Sequence, residues 1–238
     1  MFDVIAFDAD DTLWHNERVY RGTEQQVIEI LARYHDAEWI ARRIYETEIR
    51  NLQHYGYGFK GYTLSLIETA IELTDGQISG AEIGQIIELA RNAMRAPIHL
   101  LDGVAETIAQ LSATRELMII TKGDLFEQEA KVIRSGLAEK FRRIEIVPNK
   151  TRETYESIAA RYDFAPERFL MIGNSLRSDI LPVLAMGGRA VYIPYEITWE
   201  HEQVPEDALA GKEFFQLAAI TELPALLDEL TQISDRQA

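Results

Sequence analysis

The 238-residue sequence contains no cysteine. A disulfide scaffold, a thiolate nucleophile and a Cys-based metal site are therefore excluded. Histidine is also scarce, with five residues scattered without the spacing of metal ligands. No run approaches the ~20 apolar residues of a membrane span. Basic residues are in deficit: 24 Lys and Arg against 39 Asp and Glu, for a net charge of −15. A surface that negative repels phosphate backbones and anionic lipid, so neither nucleic acid nor a membrane is an expected partner. Met1-Phe2-Asp3 lacks the basic region and apolar run of a signal peptide. The expectation is a soluble, cytoplasmic protein. Nothing in the sequence speaks to its oligomeric state.

What is present is enough apolar material, 47% of residues, for a sizeable core. Short apolar runs lie at Val4–Phe7, Leu117–Ile120, Ile144–Val147, Phe169–Ile172 and Ala190–Ile193. Runs without strict alternation suit strands buried on both faces, as in a parallel sheet. Amphipathic stripes separate them: Val104, Ile108 and Leu111 after a candidate N-cap at Asp102, then Leu176, Ile180 and Leu184. That alternation predicts a doubly wound, Rossmann-like α/β sheet. Glu213-Phe214-Phe215 fits an edge strand, and Leu223 to Leu230 a last helix.

Residues 15–97 break the rhythm. Val27, Leu31 and Tyr34 form one stripe, and Leu64, Ile67 and Ile71 a second that ends at Asp75-Gly76. Ser79 and Glu82 make a capping box ahead of Ile83, Ile86, Ala90 and Met94. The prediction is an all-helical insertion over 15–97 in an α/β core of 1–14 and 98–238. The acidic excess lies at the chain ends: −4 over residues 1–14 and −8 over 194–238. The C-terminal share reads as a solvated surface.

Asp8-Ala9-Asp10-Asp11-Thr12 directly follows the first strand. Ligands of parallel α/β sheets bind beyond the carboxyl ends of strands. Residues two apart on an extended segment point the same way, so Asp8 and Asp10 can face one ligand. Two close carboxylates repel unless one is protonated or a cation intervenes, and without cysteine the natural cation is a hard one such as Mg2+. Taken alone, the segment also fits an acidic helix-entry loop.

This Asp-x-Asp-x-Thr segment resembles the first motif of the haloacid dehalogenase-like superfamily of hydrolases. The resemblance implies that Asp8 is a nucleophile forming an aspartyl-phosphate and Asp10 a general acid, then base. Three later segments match in order. Thr121-Lys122-Gly123-Asp124 ends the strand at 117–120; the resemblance gives Thr121 a hydroxyl contact to a phosphoryl oxygen, with Lys122 and the Gly123 backbone beside it. Lys150 matches the third-motif lysine, for which Lys122 is the rival. Gly173-Asn174-Ser175-Leu176-Arg177-Ser178-Asp179 resembles the fourth motif. Asp179 would complete a Mg2+ site with Asp8 and the carbonyl of Asp10, while Asn174 replaces the commoner acid and leaves one carboxylate fewer.

The insertion then matches the family's C1 cap, a helical lid that selects the leaving group. Within it, residues 54–62 hold four aromatics and three glycines. This segment reads either as a shaped, mobile loop, with Tyr57 stacking on a ligand and Lys60 meeting an anion, or as a turn whose aromatics simply pack. Trp14 and His15 are candidates to line the route to the site. The implied activity is hydrolysis of a small phosphorylated metabolite. Family dehalogenases lack an acid at the position of Asp10. A phosphomutase or a non-catalytic phosphometabolite-binding protein would use the same core.

Overall fold

The computed structural model describes residues 2–237, with side-chain surroundings through residue 232. β1 (Val4–Phe7) is followed by four helices: α1 (Glu17–Leu31), α2 (Ala37–Tyr55), α3 (Phe59–Leu73) and α4 (Gly80–Arg95). Strands and helices then alternate: α5 (Val104–Ser112), β2 (Leu117–Lys122), α6 (Leu125–Arg134), β3 (Arg143–Val147), α7 (Arg152–Tyr162), β4 (Phe169–Gly173), α8 (Leu181–Ala185), β5 (Arg189–Tyr192), β6 (Phe215–Gln216) and α9 (Leu223–Gln237). No helix among the described residues is long and apolar enough to cross a membrane.

The strands form one parallel sheet in the order β3-β2-β1-β4-β5-β6. β1 lies between β2 and β4, so successive crossovers leave it toward opposite edges. Ligand sites of doubly wound sheets form at this reversal. β1, β2 and β4 are buried on both faces almost throughout, because helices cover each side. Ile5, Phe7, Ile119, Leu170 and Ile172 pack on one face, and Val4, Ala6, Ile120, Phe169 and Met171 on the other.

The chain divides into two compact units. One comprises Met1–His15, Ile98–Lys122 and Glu129–Ala238; the other comprises Asn16–Pro97 with Gly123–Gln128. The second unit has its own core, built on Val27, Leu31, Ile40, Ile44, Leu66, Ala70, Ile86 and Ala90.

Several local expectations are corrected. The α3 stripe is displaced: Leu64 and Ile71 are exposed at 47% and 46%, whereas Tyr62, Leu66, Ala70 and Leu73 are buried. α2, for which no stripe is expected from the sequence, buries Ile40 and Ile44 and, further along the same helix, Thr47 and Asn51. α5 is entered through Gly103 in the left-handed conformation, not through a cap at Asp102. The Ser79–Glu82 capping box is present, with Ser79 N–H donating to Glu82 and Glu82 N–H to Ser79 Oγ.

Residues 54–62 form no extended loop. His54 and Tyr55 end α2, Phe59 to Tyr62 open α3, and three residues link them. Gly56 and Gly58 have φ of 68° and 119°, which only glycine adopts without strain. Phe59 and Tyr62 are buried, with ring centroids 4.2 and 5.0 Å from that of Tyr20.

Candidate active site

At the carboxyl end of β1 the chain turns sharply. Asp8 N–H still donates along the sheet to Ile172 O, and Leu13 N–H reaches back to Ala9 O. Asp11 has φ of 61°, a left-handed conformation that Asp tolerates better than most residues. The turn brings Thr12 back to the strand end. Its hydroxyl lies 3.0 Å from Asp8 Oδ2 and 3.1 Å from Asn174 Oδ1, and it accepts the Asn174 backbone N–H at 3.1 Å. Segments from β1 and β4 are thereby tied together.

Lys150 enters two residues before α7, whose N-cap is Thr151. Its Nζ donates to Asp8 Oδ1, and to Asp179 Oδ1 at 2.6 Å. All three residues are buried. Burial alone lowers a lysine pKa, but the facing charges and hydrogen bonds of Asp179 and Asp8 reverse that and leave it raised. Burial raises the Asp179 carboxyl, and the Lys150 charge opposes that rise without cancelling it. The Lys150 ammonium is thus held between the carboxyl groups of Asp8 and Asp179.

Asp179 sits on a π-helical turn, Leu176–Ile180, and accepts Ser175 N–H at 3.0 Å on Oδ2. Such turns re-aim side chains locally and recur at functional sites. Gly173 makes the approach feasible. A Cβ built there would stand 2.2 Å from Asp179 Oδ2.

Asp10, two residues after Asp8, has a different set of partners. Trp14 Nε1 donates to its Oδ1 at 2.7 Å, and Lys131 Nζ, from α6, lies 3.1 and 3.0 Å from Oδ1 and Oδ2. Each carboxylate thus has its own lysine. Trp14, expected along the substrate route, is fully buried and directs its indole N–H at Asp10. His15 Nδ1 lies 2.7 Å from the Tyr195 hydroxyl.

Lys122, at the end of β2, donates to Ser178 Oγ at 3.0 Å and to Glu202. Glu202 also accepts the hydroxyls of Ser175 and Ser178. Burial pushes this carboxyl up, but the Lys122 charge and three hydrogen bonds outweigh it and hold it at about 2. The reading of the C-terminal acids as a solvated surface therefore fails at Glu202. Thr121 is buried in β2, in register with Ile146 of β3.

Asn174 has two orientations. With its amide nitrogen inward, it donates to Asp10 O and Asp8 Oδ2, both at 3.3 Å. With its oxygen inward, three oxygens face one another, an arrangement that a hard cation satisfies. Among the described residues, no three His, Cys, Asp or Glu side chains converge on one point.

Of the remaining candidates, Tyr57, Lys60 and Gly123 belong to the helical unit. Lys60 pairs with Asp124 at 2.7 Å, and its Nζ lies 5.5 Å from the Phe126 ring centroid. Tyr57 is half-buried in the link between α2 and α3. Gly123 has φ of 141°, and a Cβ there would lie 3.0 Å from Gln128 Nε2. Sequence reasoning passed over Lys131 and Glu202. In the sequence of α6, Lys131 is one charged residue among several and carries no mark of its own.

The site can be set beside known proteins. A glyceraldehyde 3-phosphate phosphatase from Pyrococcus furiosus is 24% identical over 233 residues, which is 95% of this chain and 92% of that protein. The crystal structure of a haloacid dehalogenase-like family hydrolase from Xanthomonas campestris superposes with a TM-score of 0.87 at 40% identity, covering 100% of this chain and 95% of that one. The L-2-haloacid dehalogenase of Xanthobacter autotrophicus, with chloropropionic acid covalently bound, matches at 16% identity and a TM-score of 0.64, over 96% of this chain and 99% of that one. The last likeness shows a shared fold. The family model for haloacid dehalogenase-like hydrolases matches residues 2–187, a span that contains the strand-end carboxylates and both their lysines. With that match over most of its length, the chain belongs to the haloacid dehalogenase-like hydrolases.

Proposed function

We propose that this hydrolase is a Mg2+-dependent phosphomonoesterase acting on a small phosphorylated metabolite through an aspartyl-phosphate at Asp8. The observation that carries this reading is that Asp8 and Asp10 are held by different lysines, Lys150 and Lys131. Two carboxylates in unlike surroundings suit two unlike roles. A departing halide needs no proton, whereas a departing alkoxide does, so an acid beside the nucleophile favours phosphate esters over haloacids. The phosphatase relative points the same way.

An Asp8 oxygen attacks phosphorus, and the bond from phosphorus to the leaving oxygen breaks. Asp10 gives that oxygen its proton. Asp10 then takes a proton from water, which attacks phosphorus and releases Asp8. One difficult displacement becomes two easier ones. Lys150 offsets charge on Asp8 and the phosphoryl group, and the Thr121 hydroxyl donates to a phosphoryl oxygen. Asp8, Asp179, Asn174 and the carbonyl of Asp10 are the oxygen donors that would hold Mg2+, which supplies further neutralisation of the dianionic group. Lys122 is assigned to the substrate side of the site, and the helical unit, with Tyr57 and Lys60, to choice of leaving group.

The test is hydrolysis of p-nitrophenyl phosphate with Mg2+, with EDTA and in Asp8→Asn. Turnover should require Mg2+ and fall about a thousandfold or more in the variant. Turnover indifferent to Asp8→Asn would end this reading.

A further inference from the structure

We propose that Lys131 is the positioning residue for Asp10, fixing the plane of the carboxylate that exchanges protons with the leaving group and with water. The role rests on the acid/base reading of Asp10 given above.

The argument begins with the freedom an aspartate has. Its terminal torsion is broad and roughly two-fold, so a carboxylate held at one point still swings. Asp10 is held in two directions by two elements. Trp14 Nε1, from the turn after β1, meets Oδ1 at 2.7 Å. Lys131 Nζ, from α6, stands almost equally far from Oδ1 and Oδ2, at 3.1 and 3.0 Å. An ammonium straddling both oxygens opposes rotation, and the indole N–H marks which oxygen is which. Proton transfer requires donor and acceptor within about 2.6–3.2 Å, and a misplacement of 1 Å can cost about a hundredfold in rate.

Burial argues against a bystander. The Lys131 side chain is 9% exposed and that of Asp10 20%. Burying an ammonium is unfavourable unless it is paired, and α6 already packs through Val132. An ordinary surface ion pair would leave both groups in water and contribute little. Nor does Lys131 duplicate Lys150, whose ammonium serves Asp8 and Asp179.

The experiment compares two phosphate esters. Glycerol 2-phosphate releases an alkoxide that needs a proton, whereas p-nitrophenyl phosphate releases a stable phenolate that does not. Asp10→Asn, Lys131→Met, Lys131→Arg and Trp14→Phe are assayed on both, with melting curves to confirm folding. In Lys131→Met, kcat/KM, which runs only through loss of the leaving group and so excludes the water-activating step common to both esters, should fall about 30-fold or more on glycerol 2-phosphate, against less than about threefold on the aryl ester. Lys131→Arg should recover most of the loss. Trp14→Phe, which keeps the ring but not the N–H, should show a smaller loss of the same asymmetry and serves if Lys131→Met fails to fold. Asymmetry in Asp10→Asn but in neither Lys131→Met nor Trp14→Phe would overturn the positioning role alone. Equal losses in kcat/KM on the two esters in Asp10→Asn would remove the acid reading and this role with it.

Discussion

Lys150 Nζ lies 2.6 Å from Asp179 Oδ1 while also donating to Asp8, and the lysine side chain is 1% exposed. One ammonium is therefore the shared counter-charge of two buried carboxylates from two different strand ends. Removing one partner of a buried ionic cluster is far more damaging than its net contribution suggests, because the others stay desolvated.

Lys150→Met should accordingly cost about 3–5 kcal/mol of stability. For a chain of this length that corresponds to a fall of roughly 6–20 °C in Tm. Millimolar Mg2+ should recover more of the loss in the variant than it adds to the parent, because a divalent cation can replace the missing charge. A calorimetric scan with and without Mg2+ checks both. A Tm unchanged by the substitution would show that the buried cluster is not held as described.

Gly173→Ala tests how tightly β4 and the π-helical turn are fitted. The added methyl would stand 2.2 Å from Asp179 Oδ2 and 2.3 Å from its Cγ. Asp179 has no easy retreat, since Lys150 and Ser175 N–H both hold it. Aryl phosphatase activity should fall about a hundredfold or more through displacement of a group the chemistry needs. Circular dichroism should show the sheet retained. Activity within twofold of the parent would contradict this packing.

The elements that proved legible share a physical cause. β1, β2 and β4 are uninterrupted apolar runs because both faces are covered, and each ends where a polar residue meets the open end of the sheet. Asp8, Thr121 and Asn174 announce themselves at those ends. Lys131 and Glu202 carry no such mark. Lys131 meets a partner 121 positions away, and Glu202 one 80 positions away. A single charged residue on a helix or in an acidic tail looks solvated until the fold encloses it. The same limit explains α2, where Asn51 donates to Ser65 Oγ and Glu68 on α3 and so belongs to a buried face that hydropathy cannot register. In α3, counting every large apolar residue favoured Leu64 and Ile71, whereas the packed face is built partly from Gly61, Ser65 and Thr69.

Glu202 gives a signature at low pH. Its carboxyl is held at about 2 in the folded protein, against an ordinary 4.5. A depressed acid contributes stability that is present above pH 4.5 and is lost as pH falls from there through about 2. Glu202→Gln should lack that contribution, worth at most on the order of 3 kcal/mol near neutrality. It should also lose stability less steeply than the parent between pH 4.5 and 2. Urea titrations across that range would show two converging curves. Parallel curves would mean that the Lys122–Glu202 pair forms only weakly in solution.

The helical unit should respond to pH in the opposite sense. Glu17 and Glu24 on α1, Glu48 on α2 and the Tyr62 hydroxyl on α3 face one another around Arg21, which pairs with Glu17 at 3.1 Å and Glu24 at 3.5 Å. Burial raises Glu48 to about 8, with Glu17 and Glu24 adding repulsion and Arg21 opposing it; burial likewise raises Glu17 to about 7. A raised acid binds its proton more tightly when folded than unfolded. Stability therefore declines as pH climbs from 4.5 towards 8, where the folded state must ionise groups that the unfolded chain ionised earlier. Glu48→Gln keeps the shape and removes one of those ionisations. Its Tm should exceed that of the parent at pH 8.5 and match or fall below it at pH 5, as read by differential scanning calorimetry in matched buffers. A difference in Tm that stays constant between the two pH values would mean that Glu48 titrates as a solvated carboxylate and that the three glutamates do not share a desolvated cluster.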